Sequence, residues 1–235
     1  MVQAQSGLRA KKTLENSLVH LKMVGKTLLL DVDGVLVRDR LLMDHVKENC
    51  VSYVRAKLPE TKDPYETNRL LFLGYGHTAR GLEKGFGIDT RDFNKKVYTK
   101  RLLAHLADVL ATEEFQREAA QIHTLTRDGW KLRLFTNAPW VWASKVALAI
   151  GDDVGIKCPG NPCDSPMKPE VEAYVFPFED MNVMVDDSLK NLGTARYLSN
   201  WKCIHFTEGS KDPTTFCPQV QSIPELCTLV RTLSL

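Results

Sequence analysis

The chain of 235 residues is long enough for one α/β core and a smaller inserted domain. With 43% hydrophobic and 26% charged residues, its composition excludes disordered and fibrous classes. A net charge of +2 carries no nucleic-acid signature, and no apolar run approaches the roughly 18 residues of a membrane span.

The chain opens on a basic stretch, residues 1–26, in which Arg9, Lys11, Lys12, Lys22 and Lys26 face only Glu15. It has no secretory h-region. Three readings stay open for it: a solvated extension, a contact for an acidic protein partner, or the remnant of a targeting segment. Leu28-Leu29-Leu30 then reads as a short strand buried on both faces, ending in the turn Asp31-Val32-Asp33-Gly34. Residues 41–110 contain no convincing strand and read as several helices, broken near Pro64 and Gly74–Gly76. A connection of that length exceeds an ordinary crossover, so an inserted helical domain is expected there. Beyond it, strands are expected at Lys131–Phe135, Asn182–Val185 and Lys202–Phe206, with a weaker one near Val154–Ile156. Helices are expected at about 112–128, 140–150, 188–199 and 223–233. The alternation predicts a doubly wound, Rossmann-like parallel sheet built from residues 27–40 and 111–235. The six cysteines lack paired C-x-x-C spacing and read as reduced thiols of an intracellular protein. The expected compartment is the cytoplasm, with the mitochondrial matrix as the alternative.

Three strands end in polar residues: Asp31/Asp33, Thr136/Asn137 and Asp186/Asp187. In an open α/β sheet, ligands bind outside the carboxyl ends of the strands where the strand order reverses. These residues converge if the first strand lies between the other two. Four aspartates in one crevice repel one another, and a divalent cation with all-oxygen ligation removes the conflict. Magnesium suits such a site, with Asp31, Asp33, Asp187 and Asp186 as its candidate ligands. Asp-Gly after a strand is also ordinary turn chemistry, but a second aspartate pair at another strand end is not explained that way.

Asp31-Val32-Asp33-Gly34-Val35-Leu36 resembles the first motif of the haloacid dehalogenase (HAD) superfamily. Thr136 after Leu134-Phe135 resembles its second, Lys168 in Met167-Lys168-Pro169-Glu170 its third, and Val185-Asp186-Asp187-Ser188 with Asn191 its fourth. The resemblance implies that Asp31 is the nucleophile and forms an aspartyl-phosphate. It implies that Asp33 is the acid and base, and favours phosphate esters over halides. Thr136, with a backbone N–H near Asn137, would bind the phosphoryl oxygens, and Lys168 would supply a fixed positive charge. Asn191, spaced one helical turn after Asp187, would orient that ligand, and Ser188 would cap the helix.

The insertion stands where this superfamily places its helical C1 cap. Leu73-Gly74-Tyr75-Gly76-His77-Thr78 and Gly87-Ile88-Asp89 are similar to the cap of pyrimidine 5′-nucleotidase-like members, as are Phe135-Thr136-Asn137-Ala138 and Lys168–Tyr174 in the core. The implied substrate is a small phosphorylated metabolite, foremost a nucleoside monophosphate, with Tyr75 and His77 as cap residues within reach and Phe72 or Phe86 available to stack. Sugar phosphates or phosphoglycolate are the alternative substrates. A structural subunit of a larger assembly, with little or no turnover, is the alternative role. Gly34-Val35 replaces the Asn-Thr usual in that branch, and Pro139, Trp140 and Trp142 stand where smaller polar residues are usual. The segment from Lys168 to Asp186 is short.

Overall fold

A computed structural model describes residues 25–175, 181–209, 213 and 215–233. The basic residues Arg9 to Lys22 lie outside these. The strands are β1 (Lys26–Leu30), β2 (Trp130–Phe135), β3 (Gly155–Lys157), β4 (Met181–Asp186), β5 (Trp201–Phe206) and β6 (Gln219–Val220). They form one parallel sheet in the order β3-β2-β1-β4-β5-β6. The four main strands fall where the apolar runs predict them. The two-residue β6, on the sheet edge, has no sequence signal and was not expected.

β1 pairs with β2 through Leu28↔Leu132 and with β4 through Leu28↔Val183. The chain runs outward from β1 to β3, then returns to the other side of β1 at β4. The strand order therefore reverses beside β1, and the ends of β1, β2 and β4 share one crevice. Both faces of the sheet are covered, which is why β1 reads as an uninterrupted apolar run. Leu28 and Leu30 join the large core cluster on one face, while Leu29 packs with Phe135, Met184 and Leu192 on the other.

The helices between β1 and β2 are α1 (Arg40–Lys57), α2 (Pro64–Tyr75), α3 (Thr78–Phe86), α4 (Phe93–Val97), α5 (Lys100–Leu110) and α6 (Glu113–Thr124). After β2 come α7 (Trp140–Ile150), α8 (Leu189–Ala195) and α9 (Ile223–Thr232). α1 packs against α2, α4 and α5, whereas α6 packs against α7 and α9 beside the sheet. The breaks act as their chemistry requires. Asp63 caps α2 by accepting from the Glu66 N–H ahead of Pro64, and Gly76 ends that helix at φ +77°. No described helix is long and apolar enough to cross a membrane.

Three contacts join the inserted helices to the sheet's crevice. Lys190 of α8 donates to the carbonyls of Leu73 (3.0 Å) and Gly74 (2.7 Å). Gly76 lies so close to the Lys168–Pro169 segment that a Cβ there would stand 2.7 Å from Pro169 Cδ. Arg80, buried at the start of α3, pairs with Glu83 (2.9 Å) and with Glu170 (3.0 Å), two residues after Lys168.

Candidate active site

Asp31 follows the last residue of β1 and is buried. Its Oδ1 accepts from the Val32 N–H at 2.7 Å and lies 3.0 Å from Lys168 Nζ. Burial pushes the Asp31 carboxyl well up. Lys168 opposes that shift, and Asp186, Asp187 and Asp33 add to it. Asp33 is pushed up to about 6, chiefly by burial, while the Trp142 indole and Lys168 hold it down.

Lys168 is fully enclosed between the two acidic strand ends, 2.6 Å from Asp186 Oδ2, with its ammonium over the Phe135 ring. Burial works against its charge, but Asp186 and Asp31 outweigh burial and keep its pKa above the ordinary lysine value. The shortness of the segment that follows does not displace it, because Asn137 holds its backbone from both sides. Asn137 Nδ2 donates to the Lys168 carbonyl at 2.8 Å, and Asn137 Oδ1 accepts from the Lys168 N–H at 2.9 Å. The Asn137 side chain is thus spent on Lys168, a role that sequence reading did not identify. Thr136 directly follows β2, buried, its Oγ1 accepting from the Ala138 N–H at 3.1 Å.

The fourth motif divides its work differently from the sequence expectation. Asp186 accepts from the Ser188 N–H (2.9 Å) and from Asn191 Nδ2 (3.0 Å) in addition to Lys168. Asn191 therefore orients Asp186 and not Asp187. The helical-turn spacing misled because α8 begins only at Leu189, so Asp187 is outside the helix. Ser188 occupies the N-cap position, but its side chain makes no capping bond; its backbone N–H is what serves the site. Asp187 turns toward solvent, its carboxyl raised by the protein packed around it and then by Asp186.

One carboxylate oxygen each from Asp31, Asp186 and Asp187 gathers within 4.8 Å, a set suited to a hard divalent cation. Gly34, at φ +83°, makes this approach feasible: a Cβ there would stand 2.6 Å from Asp187 Cγ. The residues present thus fit magnesium. Asp186 already accepts from three protein groups, Lys168, Ser188 and Asn191, whereas Asp31 meets Val32 and Lys168 through Oδ1 alone.

The four motifs open into a cavity of about 540 Å³ roofed by the inserted helices, with Met43, Cys50, Phe72, Phe93 and Tyr98 in its wall. His77 also borders it, but its Nδ1 accepts from the Ala79 N–H at 3.2 Å as the N-cap of α3, and its ring packs edge-on against Phe93. Burial, with Arg80 nearby, lowers His77 to about 4. Phe72 lines the cavity, whereas Tyr75 and Phe86 do not, and the Tyr75 hydroxyl lies over Gly85.

A 3-2-1-4-5-6 parallel sheet with an aspartate pair after its first strand, a helical insertion over that strand's end, and a lysine joining the first and fourth motifs defines the HAD type of fold. Solved structures agree. A HAD phosphatase from Thermococcus onnurineus superimposes with a TM-score of 0.55 at 19% identity, over 87% of this chain and 97% of that one. CbbY from Rhodobacter sphaeroides, in complex with xylulose-(1,5)bisphosphate, superimposes with a TM-score of 0.56 at 18% identity, over 87% and 96%. No protein-family model and no curated protein sequence matches the chain. At these identities the likeness establishes that the chain has the HAD fold.

Proposed function

We propose that this chain is a magnesium-dependent phosphomonoester hydrolase that works through an aspartyl-phosphate on Asp31. The observation that carries the reading is the enclosed ammonium of Lys168, 3.0 Å from Asp31 and 2.6 Å from Asp186, at the floor of a roofed cavity. Held between the acids, it places a fixed positive charge where a transferring phosphoryl group gathers negative charge.

Magnesium, when bound by Asp31, Asp187 and the Asp33 carbonyl, supplies charge neutralisation at the phosphoryl oxygens. Asp31 attacks phosphorus, and Asp33 gives its proton to the leaving oxygen as that P–O bond breaks. A water molecule then loses a proton to Asp33 and attacks the aspartyl-phosphate, freeing Asp31 and phosphate. Thr136 and Lys168 hold the phosphoryl oxygens throughout. Asn137 acts through Lys168, and Asp186 fixes the Lys168 ammonium. Residues 41–110 serve as the cap that excludes water and chooses the substrate.

The preferred substrate class is a nucleoside monophosphate. Its support is the motif resemblance, together with a cap wall rich in apolar and aromatic side chains. A sugar phosphate is the second reading, favoured by the fold shared with the CbbY complex. A magnesium-supplemented panel of nucleoside monophosphates and sugar phosphates tests both. Release of phosphate from a panel member, absent without magnesium and absent in Asp31→Asn, is the expected result. Full turnover in Asp31→Asn would sink the mechanism.

A further inference from the structure

The first turn of α7 holds a residue that none of the four motifs uses. Pro139 stands at the helix N-cap, and the Trp142 N–H donates to the Pro139 carbonyl at 2.9 Å. This turn carries the Trp142 side chain, with no exposure to solvent, to Asp33. Its indole Nε1–H donates to Asp33 Oδ1 at 2.9 Å. The ring is fixed from another side by Tyr98, edge-on with centroids 5.4 Å apart. Asp33 and Tyr98 line the cavity and Trp142 does not, so the indole grips Asp33 from behind the cavity wall.

A buried indole N–H requires an acceptor, and here the acceptor is a carboxylate of the reacting centre. Indole nitrogen donates and never accepts. A proton placed on Oδ1 would set two donors against each other. Among the described residues, none donates to Oδ2.

We propose that Trp142 is the positioning residue of Asp33: it fixes the carboxyl group and reserves Oδ2 as the one oxygen that gives and takes the proton. This rests on the phosphomonoester hydrolase reading above. In the first half-reaction the Asp31 oxygen–phosphorus bond forms, the bond from phosphorus to the leaving oxygen breaks, and the Oδ2 proton passes to that oxygen. In the second, a water oxygen bonds to phosphorus, its proton passes to Oδ2, and the Asp31 oxygen departs as carboxylate. The indole keeps its bond to Oδ1 in both.

The test compares two monoesters on the full chain with magnesium. One is the alkyl phosphate turned over best, whose alkoxide needs the proton to leave. The other is p-nitrophenyl phosphate, whose phenolate leaves without it. The ratio kcat/KM reports the steps up to leaving-group departure. In Trp142→Phe, it falls about tenfold or more for the alkyl ester and less than about threefold for the aryl ester. Equal losses on both esters, or none on either, overturn the role of Trp142 while leaving the phosphatase reading in place. Wild-type turnover of neither ester overturns both. Replacing Trp142 by β-(3-benzothienyl)alanine keeps the bicyclic shape and removes only the N–H, which covers the case where Trp142→Phe does not fold. The same ester-selective loss is expected there, and wild-type rates on both esters overturn the proposal.

Discussion

Lys168 and Asp186 form an ion pair of 2.6 Å in which neither side chain meets solvent beyond 1%. Such a pair costs desolvation on both sides, and it persists because Asp31, Asn191 and the Ser188 N–H satisfy the remaining oxygens and protons. Lys168→Met leaves Asp186 buried without its cation. The expected loss is about 3 kcal/mol of stability in urea unfolding, together with loss of turnover. Adding Asp186→Asn to Lys168→Met is expected to recover part of the stability and none of the turnover. Equal recovery of both would show that the pair only holds the fold.

Asn137 tests how Lys168 is placed. Asn137→Ala removes two hydrogen bonds to the Lys168 backbone, at an expected cost of about 1–3 kcal/mol. Because the lysine then shifts, kcat is expected to fall at least tenfold, by roughly the same proximity argument that makes ångström displacements costly. A KM rise with kcat unchanged would mean that Asn137 contacts the substrate instead.

Gly34 sets the distance between the first and fourth motifs. A methyl group in Gly34→Ala would collide with Asp187 and hold a backbone at φ +83° that alanine disfavours. Magnesium affinity is expected to weaken about tenfold to a hundredfold, the range seen when a ligand's support is removed. Magnesium titrations of thermal stability check this, with Asp187→Ala as the reference. An unchanged midpoint would remove Asp187 from the ligand set.

His77 gives a stability signature in acid. Unfolded, it binds a proton below about 6.5; folded, it resists until about 4. The unfolded state therefore takes up more protons between these values, so stability is intact above pH 6.5 and drains as pH falls through that window. Between pH 7 and 4.5 the contribution is on the order of 2 kcal/mol. His77→Asn keeps an N-cap and removes the titration, so its stability should fall with acid by about that much less. Parallel slopes for the two proteins would show that His77 stays accessible to protons.

The parts of the fold that the sequence reveals are those where one physical cause dominates. β1 and β4 are apolar because both sheet faces are covered, and the ends of β1, β2 and β4 are polar because they border the crevice. The helical insertion follows from its length and from Pro64 and Gly76. β6 is two residues on an edge, too short to impose a pattern. Within the site, single side chains with two plausible partners are what local spacing cannot resolve. Asn137 turns to the Lys168 backbone, 31 residues away, and Asn191 to Asp186. Trp142 reads from sequence as crowding, and only the placement of α7 in the fold shows its N–H on Asp33. No periodicity encodes contacts of that range.

The nucleophile carries the proposed mechanism, and trapping it is the most direct measurement. The chain is mixed with magnesium and its best phosphomonoester, quenched in acid within the first turnovers, digested, and read by mass spectrometry. The expected result is one added phosphoryl group on the peptide bearing Asp31, absent in Asp31→Asn. Turnover with no phosphoryl group on Asp31 at any quench time, and with Asp31→Asn still active, would contradict it.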